Sequence, residues 1–208
     1  MLDNLNIPKP EEEAFFLQPT LELAQSLIGA TLWRHLGSEI TGGVILETEA
    51  YISAVDPASH NYRRPSKKRA AMYGPPGTAY IYFTYGMYHC FNVVSEPEGV
   101  SAAVLIRAVY PIYGQEIMAA RRRLAAPQLT MAAGPGRLCM AFALTRADNM
   151  ADLRGNDLWI SGPSNYYPIE KGTIRTSSRI GISSGQELQW RYYSAGCPAV
   201  SGPAALRR

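Results

Sequence analysis

Residues 44–51 read V-I-L-E-T-E-A-Y, and residues 77–92 read G-T-A-Y-I-Y-F-T-Y-G-M-Y-H-C-F-N. The first stretch has the composition of a strand, and a period of two brings Glu47, Glu49 and Tyr51 to one face. Two carboxylates and an aromatic then share a surface. The second stretch is dense in β-favouring aromatics and is broken once, at Tyr85-Gly86, which predicts a β-hairpin with Tyr85 at its tip. An aromatic at a tip, followed by Met87 and Tyr88, makes a surface suited to entering something flat and apolar, such as a base stack.

Outward from these stretches the chain alternates strands with a few short helices. Upstream, Leu21, Ala24, Leu27 and Ile28 are spaced as one helical face, with Thr20 as N-cap and Gly29 as stop. Residues 31–36 and 40–52 then form a hairpin turning at Gly37-Ser38-Glu39. The span 53–76 is a long loop holding His60, the basic cluster Arg63, Arg64, Lys67, Lys68 and Arg69, and the breaker Gly74-Pro75-Pro76-Gly77; long loops in compact domains are commonly functional. Downstream, residues 101–109 (S-A-A-V-L-I-R-A-V) read as a buried strand in which Arg107 needs a partner. Residues 114–124 read as a helix, and Gly134-Pro135-Gly136-Arg137 opens another that runs to about residue 144. Free N–H groups at such a start suit phosphate, with Arg137 beside them. Residues 157–161 and 189–194 read as strands.

These elements predict an α+β fold: a single domain with a curved antiparallel sheet, flanking helices and a projecting hairpin. Residues 1–18 are expected to form a loose N-terminal tail, 19–195 the domain, and 196–208, rich in Gly, Pro and Ala, a disordered tail. At 208 residues with a formal charge of +3 the chain is long enough for one core and only mildly basic. Charge alone therefore does not announce nucleic acid. The three cysteines, Cys90, Cys139 and Cys197, are far apart and odd in number, which argues against a disulfide framework or a metal site. No signal peptide or bilayer-spanning run is present, so an intracellular protein with no membrane part is expected; it is also expected to be monomeric and to need no cofactor.

The run E-T-E-A-Y at 47–51, His60, Y-I-Y-F-T-Y-G-M-Y-H-C-F-N at 80–92, L-I-R-A at 105–108 and G-P-G-R-L-C at 134–139 together resemble the alkyladenine (3-methyladenine) DNA glycosylase family, in the family's order. The resemblance covers roughly residues 21–193. It implies an open barrel like the formyltransferase C-terminal domain, and a base-excision-repair enzyme that flips damaged purines out of double-stranded DNA. The damaged purines would be 3-methyladenine and related alkylated bases, together with hypoxanthine. By the same resemblance Glu49 is the catalytic carboxylate that activates water, which is reasonable chemistry for attack at an anomeric carbon. Tyr51, His60 and Tyr82 would contact the extruded base, and Asn92 would crowd out guanine. Tyr85 would fill the gap left in the stack, with Met87 and Tyr88 in the minor groove. Arg107 would steady a phosphate or Glu49. No lysine occupies the base position, which implies a monofunctional enzyme without strand nicking.

Some readings stay open on the sequence. Glu47, about 7 Å along the strand from Glu49, has the spacing of an inverting acid–base partner, or else supports the site from its edge. Lys68-Arg69 stands where the family often has Arg-Asn, which puts a backbone contact in doubt. Two other functions compete: a non-catalytic nucleic-acid-binding module, and a small-molecule nucleoside hydrolase using the same carboxylate.

Overall fold

The computed structural model describes residues 7–163, 165 and 173–203. Helices α1 (Glu13–Phe16) and α2 (Thr20–Ser26) precede strands β1 (Ala30–Leu36) and β2 (Glu39–Ile52). After a 3-10 turn at Lys67–Tyr73 come β3 (Ala79–Thr84), β4 (Tyr88–Val94) and β5 (Ala102–Tyr113). Helices α3 (Gln115–Arg121) and α4 (Pro135–Ala141) and strands β6 (Leu158–Pro163), β7 (Ile174–Ser177) and β8 (Arg191–Ser194) complete the order.

The eight strands form one antiparallel sheet in the order β3-β4-β5-β2-β1-β6, with β8 paired to β2 and β7 to β8. Its end strands β3 and β6 do not meet, so the sheet is open. This is a single-domain α+β fold with few helices. Strand β2 is its spine: one edge pairs with β5 along residues 42–52, while the other pairs with β1 up to Val44 and with β8 over 47–49. The register to β5 slips between Ile45 and Glu47, where the neighbour changes. Bulges of this kind bend a strand and re-aim its side chains.

The period of two divides the sheet into two faces, with the bulge after Ile45 resetting its phase in β2. One face carries Ile45 and Ala50 of β2, Ile81 of β3, Phe91 and Val93 of β4, and Val104 and Ile106 of β5. Against it pack Leu23 and Leu27 from α2 and its C-terminal end, Met118 and Ala119 from α3, and Leu138, Cys139 and Phe142 from α4 and its end. This apolar layer is the core, and Thr48 meets it by donating to the Ala24 carbonyl at 2.7 Å. The N-cap of α2 is Pro19; Thr20 instead donates its N–H and hydroxyl to Glu96 Oε1 at 2.8 and 2.9 Å. A distant carboxylate thus supplies the acceptor that a local hydroxyl was expected to supply.

Both expected tails are corrected within the described residues. The edge of β6 and its Trp159 need cover, and residues 7–18 provide it: Glu11 N donates to Ile160 O at 2.8 Å, Trp159 Nε1 donates to Pro8 O at 3.1 Å, and Phe16 enters the core. At the other end Cys197, Ala199, Val200 and Ser201 are buried, because small side chains fit against Leu46 and Tyr193. The packed unit therefore extends past 19–195 in both directions. Residues 1–6 and 204–208 of the two expected tails lie outside the described residues. Among the described residues no helix is long and apolar enough to cross a membrane.

On the outer side of the sheet Trp33 stacks on Trp159 with ring centroids 6.1 Å apart. Gly42 lies beneath Trp33, and a Cβ there would fall 2.4 Å from Trp33 Cζ3. Gly42→Ala should therefore lower the free energy of unfolding in urea by about 1–3 kcal/mol through overpacking. An unchanged midpoint would mean that the indole moves aside freely.

Candidate active site

The opposite face of the sheet is where the chemistry gathers. It receives Tyr80 and Tyr82 from β3, Cys90 and Asn92 from β4, Leu105 and Arg107 from β5, and Glu47, Glu49 and Tyr51 from β2. Tyr80 stands opposite Asn92, Asn92 opposite Leu105, Leu105 opposite Glu49, Glu49 opposite Arg191, and Arg191 opposite Ser177. One row across six strands carries much of the site. Above it lies a cavity of about 480 Å³, lined among others by Tyr51, His60, Tyr80, Tyr82, Tyr85, Asn92, Arg107 and the segment from Ile180 to Ser184.

Glu49 does not line this cavity; it is fully buried one contact behind the wall. Its Oε2 accepts from the Tyr51 hydroxyl at 2.8 Å and lies 3.2 Å from Arg107 Nη1, and its Oε1 accepts from the Ile180 N–H at 2.7 Å. All three partners line the cavity. A carboxylate so held has a fixed orientation, and its charge faces a space large enough for a nucleobase.

Glu47 is buried deeper. Its Oε1 accepts from Arg107 Nε at 2.8 Å and Arg191 Nε at 2.7 Å, and its Oε2 accepts from the Ser201 N–H at 2.7 Å. Burial alone would raise its pKa, but the charges of Arg107 and Arg191 outweigh it and hold the carboxyl below its ordinary value. A group kept ionised by two guanidiniums is a poor proton donor at neutral pH, which removes Glu47 as the acid of an inverting pair. It is no edge residue either. Arg107 is also buried, which would lower its pKa, yet Glu49 and Glu47 together push it up.

The aromatic walls are held neutral. Burial raises Tyr51, with Glu49 adding its charge and hydrogen bond; burial and Cys90 raise Tyr82; and Tyr80 is pushed up to about 12, chiefly by burial. His60 is lowered by burial and then by the charge of Arg69, so its ring is neutral at physiological pH. That ring shares a hydrogen bond with the Tyr80 hydroxyl at 2.9 Å and lies edge-on to Tyr82 with centroids 4.5 Å apart. Asn92 is fixed by donating from Nδ2 to the Tyr80 carbonyl at 2.9 Å. Arg69 turns inward and donates to the His60 carbonyl, so it braces the loop that presents His60.

Tyr85 and Gly86 both have positive φ, 50° and 67°, as a tight primed turn between β3 and β4 requires. Tyr85 is 81% exposed and Met87 64%. Tyr88 is exposed as well, and Gly136 is pressed against its ring: a Cβ there would sit 2.8 Å from Tyr88 Cδ1. Pro135 reaches the cavity wall, whereas Arg137 is exposed outside it. Arg122 lies near Arg137; its guanidinium is lowered first by partial burial and then by the Arg137 charge.

Several neighbours escaped the sequence reading. Arg179 is buried in a two-pronged pair with Asp56, at 2.5 and 2.7 Å, and its guanidinium carbon stands 4.6 Å from the Tyr51 ring centroid. Arg191 escaped too, although a charge inside the strand-like run Q-W-R-Y-Y-S carries the signal that singled out Arg107. No local pattern marked Asp56, Ser201 or the Ile180 backbone.

Comparison with known proteins places the chain in a family. The family model described as methylpurine-DNA glycosylase matches residues 14–198. A protein of Alkaliphilus oremlandii provisionally named 3-methyladenine DNA glycosylase is 41% identical over 201 residues, covering 91% of this chain and 98% of its own. Proteins of Chlorobium phaeovibrioides and Methanocella arvoryzae with the same provisional name are each 42% identical, covering 91% and 90% of this chain and 95% and 93% of their own. A match over nearly the whole length, on top of a buried carboxylate behind an aromatic cavity, leaves one assignment: the chain belongs to the methylpurine-DNA glycosylase family.

Proposed function

We propose that this glycosylase rotates an alkylated purine nucleotide, such as the deoxynucleotide of 3-methyladenine, out of duplex DNA into the cavity and hydrolyses its N-glycosidic bond with water activated by Glu49. The observation that carries the reading is the seat of Glu49, bound to Tyr51, Arg107 and Ile180, all three on the cavity wall. The longest of these contacts, 3.2 Å to Arg107, is the one most readily opened for a water to reach the carboxylate from the cavity. Glu49 would take its proton as positive charge develops on the deoxyribose. Hypoxanthine, a neutral purine of similar size, belongs to the same proposed range.

Recognition would combine shape with charge. Neutral electron-rich rings attract a cationic alkylated base by about 1–2 kcal/mol when desolvated. The Tyr51 ring already faces the Arg179 cation, so the attraction would come mainly from Tyr82 and His60. Asn92, held by the Tyr80 carbonyl, would leave no room for the exocyclic amino group of guanine. Tyr85 would enter the vacated stack, with Met87 and Tyr88 along the minor groove, and Arg137 and the basic loop at 63–69 near phosphates. The exposure of Tyr85 favours a duplex over a free nucleoside, and the openness of the sheet supports kinship with the formyltransferase C-terminal domain. A single copy of the chain supplies every group named, so the acting form would be a monomer.

Two variants test this. Single-turnover release of 3-methyladenine and hypoxanthine from labelled duplex should fall about 10²–10⁴-fold in Glu49→Gln, while binding to abasic-site DNA persists; full activity in that variant would remove Glu49 from the role. Tyr85→Gly relieves a left-handed φ at a non-glycine residue and should stabilise the protein by about 0.5–1 kcal/mol. The same variant should lose discrimination between damaged and undamaged duplex. Undiminished discrimination would show that the tip is no wedge.

A further inference from the structure

Glu47 and Arg191 are fully buried, and neither lines the cavity described above. Buried ion pairs are weak contributors to stability, because desolvation offsets most of the attraction. Their arrangement is nonetheless specific. Arg191, directly opposite Glu49 on β8, sends its Nε to Glu47 Oε1 at 2.7 Å, and Arg107 sends its own Nε to the same oxygen at 2.8 Å. Arg107 then has Nη2 on Ser201 Oγ at 3.2 Å and Nη1 at 3.2 Å from Glu49. The closest contact of this guanidinium is thus to Glu47, and the looser one is to Glu49.

From this geometry we infer that Glu47 and Arg191 are positioning residues: Glu47 anchors the Arg107 guanidinium at a set distance from Glu49, and Arg191 balances Glu47 so that Arg107 is not drawn away. The inference rests on the reading of Glu49 as the base. Its logic is a divided charge. One carboxylate oxygen shared by two guanidiniums cannot claim either wholly, so Arg107 keeps a donor for Glu49 without closing on it. A closed Arg107–Glu49 pair would leave the carboxylate a weaker base; a withdrawn Arg107 would leave Glu49 facing Glu47 without a cation between them. The charged and titratable groups around Glu49 are Glu47 and Tyr51 on β2, Cys90 on β4, Arg107 on β5, Arg191 on β8, and Arg179 from the segment before β8. Of these, only Arg107 both touches Glu49 and is held by a second carboxylate.

The test is the pH dependence of single-turnover base release from duplex containing hypoxanthine or 3-methyladenine, alongside affinity for abasic-site duplex. In Glu47→Gln, Arg107 loses its anchor and closes on Glu49. The acidic limb should then move to lower pH and the plateau fall about 10- to 100-fold, as small misplacements of catalytic groups do. In Arg191→Met, Glu47 draws Arg107 away, so the acidic limb should move to higher pH. Arg191→Lys restores a cation and should return the limb most of the way, which also serves should the methionine variant fold poorly. Affinity for abasic duplex should stay within twofold throughout. Opposite displacements in the two neutralising variants are the signature expected. A limb that stays in place in Glu47→Gln or in a folded Arg191→Met, or losses that track thermal stability alone, would overturn the inference while leaving Glu49 as base. No base release by the unmodified protein would overturn both.

Discussion

Two carboxylates placed two residues apart on a strand with neighbours on both edges cannot stay ionised unless cations reach them from those neighbours. Removing one partner of such a buried pair typically costs about 3–5 kcal/mol, because the remaining charge stays in low dielectric. In this chain β2 presents Glu47 and Glu49 together, and the guanidiniums come from the strands on either edge, Arg107 on β5 and Arg191 on β8. The requirement also explains the C-terminal segment. Ser201 donates its N–H to Glu47 and accepts from Arg107 at its hydroxyl oxygen and from Arg191 at its carbonyl, so the chain is held against the sheet by the charges it helps to satisfy.

That local demand determines how the rest is arranged. A sheet with polar groups on one face must bury the other, and the helices accordingly pack on the face carrying Ile45, Ala50, Phe91 and Ile106. The polar face is closed by loops and by the 3-10 turn at Lys67–Tyr73, whose Met72 packs with Tyr80. Asp56 and Arg179 tie two of those loops together in a buried pair, one following β2 and one preceding β8. Ile180, next to Arg179, is thereby placed to donate its N–H to Glu49. A long-range ion pair thus fixes a backbone donor that no side-chain motif encodes.

The sequence was informative where local pattern and global role coincide. The period of two in E-T-E-A-Y put Glu47, Glu49 and Tyr51 on one face, away from Thr48 and Ala50, and the break at Tyr85-Gly86 marked the turn between β3 and β4. What could not be read is what depends on distant partners. Residues 196–203 look like a tail because Gly, Ala and Pro carry no hydrophobic signal, yet smallness is what lets them lie against Leu46 and Tyr193. Residues 7–16 looked loose because the edge they cover, β6, lies far along the chain. Thr20 satisfied the rule for a cap and was overruled by Glu96, 76 positions away. In the site, Arg191 was legible in principle, as a charge in an apolar strand; Asp56, in a loop of polar residues, was not.

The hairpin tip follows the opposite logic from the buried charges. Tyr85 contributes its ring to no packed cluster, is four-fifths exposed, and occupies a left-handed backbone conformation that a glycine adopts more easily. Nothing in the folding of the sheet requires a tyrosine there. The turn tolerates it because β3 and β4 are paired without interruption from Ala79 to Thr84, so local strain at the end of the ladder does not reach the row beneath. Strain held by a rigid scaffold at an exposed position is a pattern associated with function. Here it sits at the edge of the cavity, on the same two strands that supply Tyr80, Tyr82 and Asn92. An object that displaced the tip would therefore act through β3 and β4 directly on the walls of the cavity.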